Sequence, residues 1–313
     1  MSDRLALLDR RLAALRKSRA ETGEALDLQE LLVRVALTSA REPHADPFPL
    51  PREAAVARVR QGVPLLHDQP VVLDVHFAAD LFSRLTNVLS ERDNPDLTPR
   101  LDAVVRAATT GQLDPELLFA EAFVRHADHL AAIAAPAGVD ADLLTSLAQQ
   151  AVAPILRAYA LRLTPIFDLL DDGTVDQTAW QHGYCPICGG WPVLGEMRGV
   201  ELALWLRCSA CGSGWHGRRL VCPYCANDDH RALGTLVPDG DLRYRVSVCD
   251  RCKGYLKVGN AFDPPPPELL AIDDAATLHL DLAAIERGYQ RPSGSGYRIE
   301  LAVPEAEWLE ELA

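Results

Sequence analysis

The sequence predicts an α+β protein, with a helical N-terminal domain over residues 1–172, two tandem cysteine-bearing modules over 173–260 and a short helical C-terminal segment over 261–313. Three observations predict it. Leucines in the first half recur at three- and four-residue intervals, as one face of a helix requires. All eight cysteines lie between Cys185 and Cys252, each in a C-x-x-C pair. At Asp171-Asp172-Gly173 the composition turns from Ala, Leu, Arg and Glu to Gly, Trp and Cys. Aromatics make up 6% of the chain and hydrophobic residues 48%, a balance that suits helices better than strands.

In chain order, Leu5, Leu8, Leu12 and Leu15 mark the core stripe of a first helix, and Leu28, Leu31, Leu32 and Val35 that of a second. The proline-rich stretch from Glu42 to Pro51 ends the second and leaves Arg52 near the start of a third. Pro64 and Pro70 bracket the entry to a helix over about Val72 to Arg92. Asp114-Pro115-Glu116 opens another. Asp114 can accept from free amides, Pro115 lacks the N–H that would be orphaned, and Glu116 suits the positive end of the dipole. This helix is expected to run through His129. His126 and His129 share one of its faces, but no carboxylate pattern completes a site, so they read as surface or packing residues. Asp140 opens a further run, kinked at Pro154, where the ring removes a ladder bond.

The cysteine region is a duplication. The first module, about 183–216, carries Cys185-Pro-Ile-Cys188-Gly-Gly and Cys208-Ser-Ala-Cys211-Gly. The second, about 220–260, carries Cys222-Pro-Tyr-Cys225-Ala-Asn and Cys249-Asp-Arg-Cys252-Lys-Gly. Nineteen residues separate Cys188 from Cys208 and twenty-three separate Cys225 from Cys249, near the spacing of tetrahedral metal sites. Val200–Leu206 and Arg243–Val248 have strand composition, with Pro238-Asp239-Gly240 as a turn, so each copy reads as knuckle, hairpin, knuckle, in the manner of a zinc ribbon or rubredoxin-like module. Gly189, Gly190, Gly212, Gly254 and Asn227 suit the positive φ that such a knuckle needs after its second cysteine. Four thiolates per copy suit zinc or a single iron, and spacing does not choose between them. Clustered cysteines in a reducing compartment are metal ligands more often than disulfides. His182, His216 and His230 read as bystanders, since eight sulfurs fill two tetrahedra.

After the modules, Pro264–Pro267 reads as an extended linker in which helix is impossible. Asp273 or Asp274 then caps a helix to about Arg287, Gly288 stops it, and Pro304 starts a terminal helix containing Trp308.

The formal charge of −13 disfavours nucleic acid and anionic membranes. Cys185–Asn260 holds ten Arg or Lys against seven Asp or Glu, but a divalent ion with four thiolates carries −2. Arg207, Arg218, Arg219, Arg251 and Lys253 are therefore expected to offset the metal sites and not to bind nucleic acid. No apolar run approaches the roughly 18 to 20 residues of a membrane span, and no uncharged signal core opens the chain, so the expectation is a cytoplasmic protein without membrane insertion. No Ser/His/Asp order, phosphate loop or dinucleotide fingerprint stands out, so the chain reads as a non-enzyme. Trp191, Trp205 and Trp215 read as the mini-core of the ribbons in preference to a docking patch. Self-association is left open.

The segments CPICGGWPVLGEMR, LRCSACGSGWHGRRLVCPYC, VCDRCKGYLK and AIDDAATLHLDLAAIERGYQRP, following a helical half, resemble the formate dehydrogenase accessory protein FdhE family. The resemblance covers nearly the whole chain, and the paired cysteines are its most specific part. It implies a cytoplasmic maturation factor for the catalytic subunit of formate dehydrogenase. It also implies two mononuclear ions, with iron favoured and zinc the alternative. One would sit on Cys185, Cys188, Cys208 and Cys211, the other on Cys222, Cys225, Cys249 and Cys252.

Overall fold

The leucine periodicity builds helices first. Helix α1 (Ser2–Ser18) buries Leu8, Leu12 and Leu15. Helix α2 (Gly23–Leu37) buries Leu26 and Val33, two turns apart, whereas Leu28 of the expected stripe is 37% exposed. Apolar residues occupy both sides of α2, so periodicity alone leaves the choice of face open. Helix α3 (Arg52–Gln61) is stopped by Gly62 at φ 71°. Helix α4 (Val75–Ser90) starts three residues later than expected, because the Asp74 carboxylate accepts from the Phe77 amide and fixes the first turn there.

Helix α5 spans Thr98–Thr109. In α6 (Pro115–Val124), Asp114 accepts from the amides of Glu116 and Leu117 as expected. The helix does not continue to His129. Arg125 turns left-handed at φ 62°, its N–H and that of His126 closing back on Ala122 and Glu121, and α7 (Ala127–Ala137) starts afresh. Helix α8 (Ala141–Leu169) follows, opened by Asp140 on the Leu143 amide and continuous through Pro154.

The computed structural model describes residues 2–18, 23–39, 41–48, 50–92, 94–169, 180–237, 243–262 and 264–302. The composition break at Asp171-Asp172-Gly173, the Pro238-Asp239-Gly240 turn and the helix at Pro304 with Trp308 lie outside the described residues.

The chain forms two compact units: Met1–Glu30, Leu50–Leu66 and Ala160–Tyr297 in one, and Leu31–Pro49, His67–Tyr159 and Arg298–Ala313 in the other. The second has an aromatic core in which Phe82 meets Phe119 edge-on and Phe123 meets Tyr159, whose hydroxyl donates to the Val72 carbonyl.

The first unit holds the sheet. Strands β1 (Pro192–Arg198), β2 (Ala203–Cys208) and β3 (Gly214–His216) come from the first module, and β4 (Leu233–Leu236), β5 (Tyr244–Cys249) and β6 (Tyr255–Asn260) from the second. They make one six-stranded sheet in the order β3-β2-β1-β6-β5-β4. Pairing within each module is antiparallel, while β1 and β6 pair in parallel with Leu194 opposite Lys257. Equivalent strands therefore run the same way, and the copies are related by a shift along the sheet instead of a twofold. The modules thus share one ladder, which the hairpin reading did not foresee.

Helices α9 (Leu270–Ala275) and α10 (Leu278–Ile285) follow, and Leu280 and Ala284 of α10 pack on Val246, Val248 and Tyr255. Pro267 starts a short 3-10 turn (Pro267–Leu269), so helical structure begins inside the expected proline linker; a proline is harmless in a first turn, where its missing N–H has no partner to lose. Asp273 and Asp274 are not caps but lie within α9. Asp273 takes a bidentate bond from Arg11, and Asp274 and Asp281 close on the fully buried Lys257 at 2.7 and 2.6 Å, with Arg291 bridging both. Gly288 follows α10 at φ 80°.

Candidate metal centres

Each C-x-x-C pair folds into the same turn. The amide of the first cysteine donates to the carbonyl five residues on: Cys185 to Gly190, Cys208 to Ser213, Cys222 to Asn227 and Cys249 to Gly254, at 2.8 to 2.9 Å. The residue directly after each second cysteine is left-handed: Gly189 at 76°, Gly212 at 74°, Ala226 at 55° and Lys253 at 57°. Of the expected turn residues, Gly189 and Gly212 take that position. Gly190 and Gly254 serve another need, because a Cβ would stand 2.9 Å from the Cys208 sulfur at the first, and 2.8 Å from the Tyr224 ring and 3.1 Å from the Cys252 sulfur at the second. Asn227 is not left-handed in place of Ala226; it is buried and points its amide nitrogen at the Cys249 sulfur, 3.8 Å away.

The turns bring the sulfurs together in two groups of four, Cys185, Cys188, Cys208 and Cys211, and Cys222, Cys225, Cys249 and Cys252, each within 4.8 Å of one another. Sulfur–sulfur separations are 3.7 Å for Cys185–Cys211, 3.4 Å for Cys188–Cys208, 3.5 Å for Cys188–Cys211, 3.6 Å for Cys222–Cys252 and 3.8 Å for Cys225–Cys249. A tetrahedron with metal–sulfur bonds of about 2.3 Å has edges of about 3.8 Å, so both groups fit one ion each. All eight are free thiols. Amides of Ile187, Ala210 and Gly254 reach the sulfurs of Cys185, Cys208 and Cys252 at 3.4 Å, the orienting bonds that thiolate ligands favour.

Burial pushes the Cys185 thiol well up, whereas Cys208 is held well below the usual thiol value against its own burial by hydrogen bonds from the other three cysteines. In the second group burial raises Cys222 and pushes Cys252 up to about 11, while backbone amides of Cys252 and Arg251 outweigh burial and hold Cys249 down. Each group thus favours the thiolate on one sulfur while disfavouring it on a neighbour, and a bound cation that takes the place of the thiol protons relieves both costs.

The two groups differ in cover. All four sulfur residues of the first are buried, and its leading turn is clamped from outside: the Leu65 and Leu66 amides donate to the carbonyls of Pro186 and Ile187, and those of Gly296 and Tyr297 to Gly189. In the second, Cys225 and Cys252 are half-buried. None of His182, His216 and His230 enters either group. His182 stacks on Tyr184 and meets Trp180 edge-on, His216 lies against Trp205, and His230 opens an exposed 3-10 turn. Trp215 is buried, Trp205 lies under Arg198, and Trp191 meets Tyr184 and Tyr224, so the tryptophans are packing residues. Arg207 is not a counter-charge to the sulfurs: it is buried on Glu196 at 2.7 Å and on the Gly212 and Pro265 carbonyls.

One grouping escaped the sequence reading. Glu121 completes a cluster with His126 and His129, because the break at Arg125 folds the three together. The signal was a carboxylate five residues before a histidine, a spacing that no continuous helix makes useful.

Fold and site define a class: a helical protein carrying a single ribbon sheet with two four-thiolate groups able to hold one metal ion apiece. A protein FdhE homolog of Pseudomonas aeruginosa is 37% identical over 131 residues, 40% of this chain and 42% of the relative. Protein FdhE of an Escherichia coli strain is 34% identical over 118 residues, 36% of this chain and 37% of the relative. The matched stretches span about two fifths of the length of these curated relatives. The crystal structure of the FdhE protein from Pseudomonas aeruginosa superposes with a TM-score of 0.56 and 25% identity, over 91% of both chains. No family model matches the chain. The chain is thus similar to FdhE proteins in sequence over about two fifths of its length and in fold over most of it.

Proposed function

We propose that this chain is an accessory factor for formate dehydrogenase that binds the immature catalytic subunit in the cytoplasm, with its metal-thiolate sheet as part of the binding surface. It acts by binding and is not itself an enzyme. The observation that carries the reading is the pair of four-cysteine groups in one sheet, set in a fold like that of FdhE. Cys185, Cys188, Cys208 and Cys211 hold one ion, and Cys222, Cys225, Cys249 and Cys252 the other. Iron is the ion we favour. Bound iron would supply a one-electron couple in such a site, and zinc would supply structure alone. The residues of this chain shape the site: the left-handed turns aim the sulfurs, the amides of Ile187, Ala210 and Gly254 steady them, and the Leu65 and Leu66 amides hold the leading turn of the first group.

The test is anaerobic co-purification of the tagged chain with the catalytic subunit. Wild type is expected to retain the subunit, and Cys225→Ser with Cys252→Ser to lose it. Failure of metal-loaded wild type to retain the subunit would contradict the reading.

A further inference from the structure

Arg125 takes a left-handed conformation at φ 62° that a side chain disfavours, in a stretch whose leucine and alanine content would otherwise prolong the helix. In an unbroken helix Glu121 and His126 would sit about 140° apart around the axis. The break swings His126 back, and both His126 Nδ1 and His129 Nδ1 meet the same Glu121 Oε2, at 2.9 and 3.0 Å, with the two rings 4.1 Å apart. The arrangement leaves unpaired polar atoms: among the described residues, His126 Nε2 and Arg125 Nε are buried without a hydrogen-bond partner. An unfavourable backbone and two orphaned polar atoms persist at one turn, which is where function is to be sought.

We propose that Glu121, His126 and His129 form a third metal site, which takes a divalent transition ion of the zinc class. Two imidazole nitrogens and one carboxylate oxygen are a borderline donor set, preferred by such ions over magnesium or calcium. An ion bonded at roughly 2.1 Å sets adjacent ligands about 3.0 Å apart when six-coordinate and about 3.4 Å apart when four-coordinate, so the two histidine nitrogens at 2.9 and 3.0 Å from the carboxylate oxygen fit the first and need open by only a few tenths of an ångström for the second. His129 is 59% exposed and Glu121 19%, so the site opens to solvent and leaves coordination positions for water or for a donor from another molecule. The donors contain no sulfur, so this site does not depend on which ion the cysteines hold, nor on the accessory role.

The test is equilibrium dialysis of the full chain, its cysteine sites already filled, against buffered Zn2+, with total metal counted per chain. One ion beyond those held by cysteine is expected for wild type. Glu121→Gln and His129→Ala are expected to weaken it by about tenfold or more, with the cysteine-bound ions and the helical circular dichroism unchanged. His44→Ala, at an exposed histidine beside Asp46, serves as the control and leaves the uptake intact. Absence of the extra ion from wild type overturns the proposal, as does undiminished uptake by His129→Ala, whose exposed side chain can be removed without disturbing the fold.

Discussion

A side chain at positive φ costs about 1 to 2 kcal/mol relative to glycine, and the four knuckles bear that cost unequally. Gly189 and Gly212 occupy the position freely, whereas Ala226 and Lys253 carry a Cβ into it. Ala226→Gly is therefore expected to stabilise the metal-loaded chain by about 1 kcal/mol, less what glycine adds to the freedom of the unfolded chain. Urea unfolding followed by tryptophan fluorescence reads this as a rise in midpoint at constant slope. Gly212→Ala should shift it the other way by more, since it adds strain at 74° and a Cβ 2.5 Å from that of Pro267. Residue-level reading of the sequence found the cysteines and two of these four positions. It misplaces the others by one residue because glycine and asparagine are an incomplete signal for the turn, whereas the pressure at Gly190 is the nearness of a sulfur and at Gly254 that of the Tyr224 ring and a sulfur together.

Among elements, the two knuckle pairs differ in their cover and should differ in lability. The second group is held from outside by the Gln290 amide on the Lys253 carbonyl and by the Tyr224 hydroxyl on the Pro192 and Tyr255 carbonyls, yet Cys225 and Cys252 stay half-buried where all four cysteines of the first are buried. Partial chelation followed by alkylation and peptide mapping is expected to label Cys225 and Cys252 before Cys185 and Cys188. The reverse order would contradict the geometry. Helix α4 offers a pH test. Burial raises the Asp74 carboxyl, but bonds from Arg41 and the amides of His44 and Phe77 outweigh that and hold it below the ordinary carboxylate range. A carboxyl depressed in the folded state stabilises above its unfolded pKa, and the gain is lost as pH falls through the folded value. Asp74→Asn should therefore cost about 1 kcal/mol at neutral pH and progressively less below about pH 4, read by thermal unfolding of parent and variant side by side.

Element boundaries were legible where local chemistry sets them. Asp114-Pro115 declared the start of α6, and Asp140 that of α8. They were illegible where tertiary contacts decide. Nothing local says that Leu26 and Val33 will be buried ahead of Leu28, that Arg125 will turn left-handed, or that β1 will find β6 some sixty residues away.

At the scale of the molecule, the ladder between β1 and β6 turns two ribbons into one cooperative sheet, so the ions should support more than their own knuckles. The partly buried set of Lys257, Asp274, Asp281 and Arg291 ties β6 to α9 and α10 in the same unit. Four-thiolate sites of this size contribute on the order of 10 kcal/mol each to folding, more than the total stability of many domains. No single helix among the described residues is long and apolar enough to cross a membrane. The most direct measurement is metal content against fold in anaerobically prepared protein, by elemental analysis with sulfide determined alongside, and by circular dichroism before and after complete chelation. Two cysteine-held ions per chain without sulfide are expected, with loss of the sheet when they are removed. A sheet that stays intact with no transition metal bound would show that the cysteines do not hold the fold through metal.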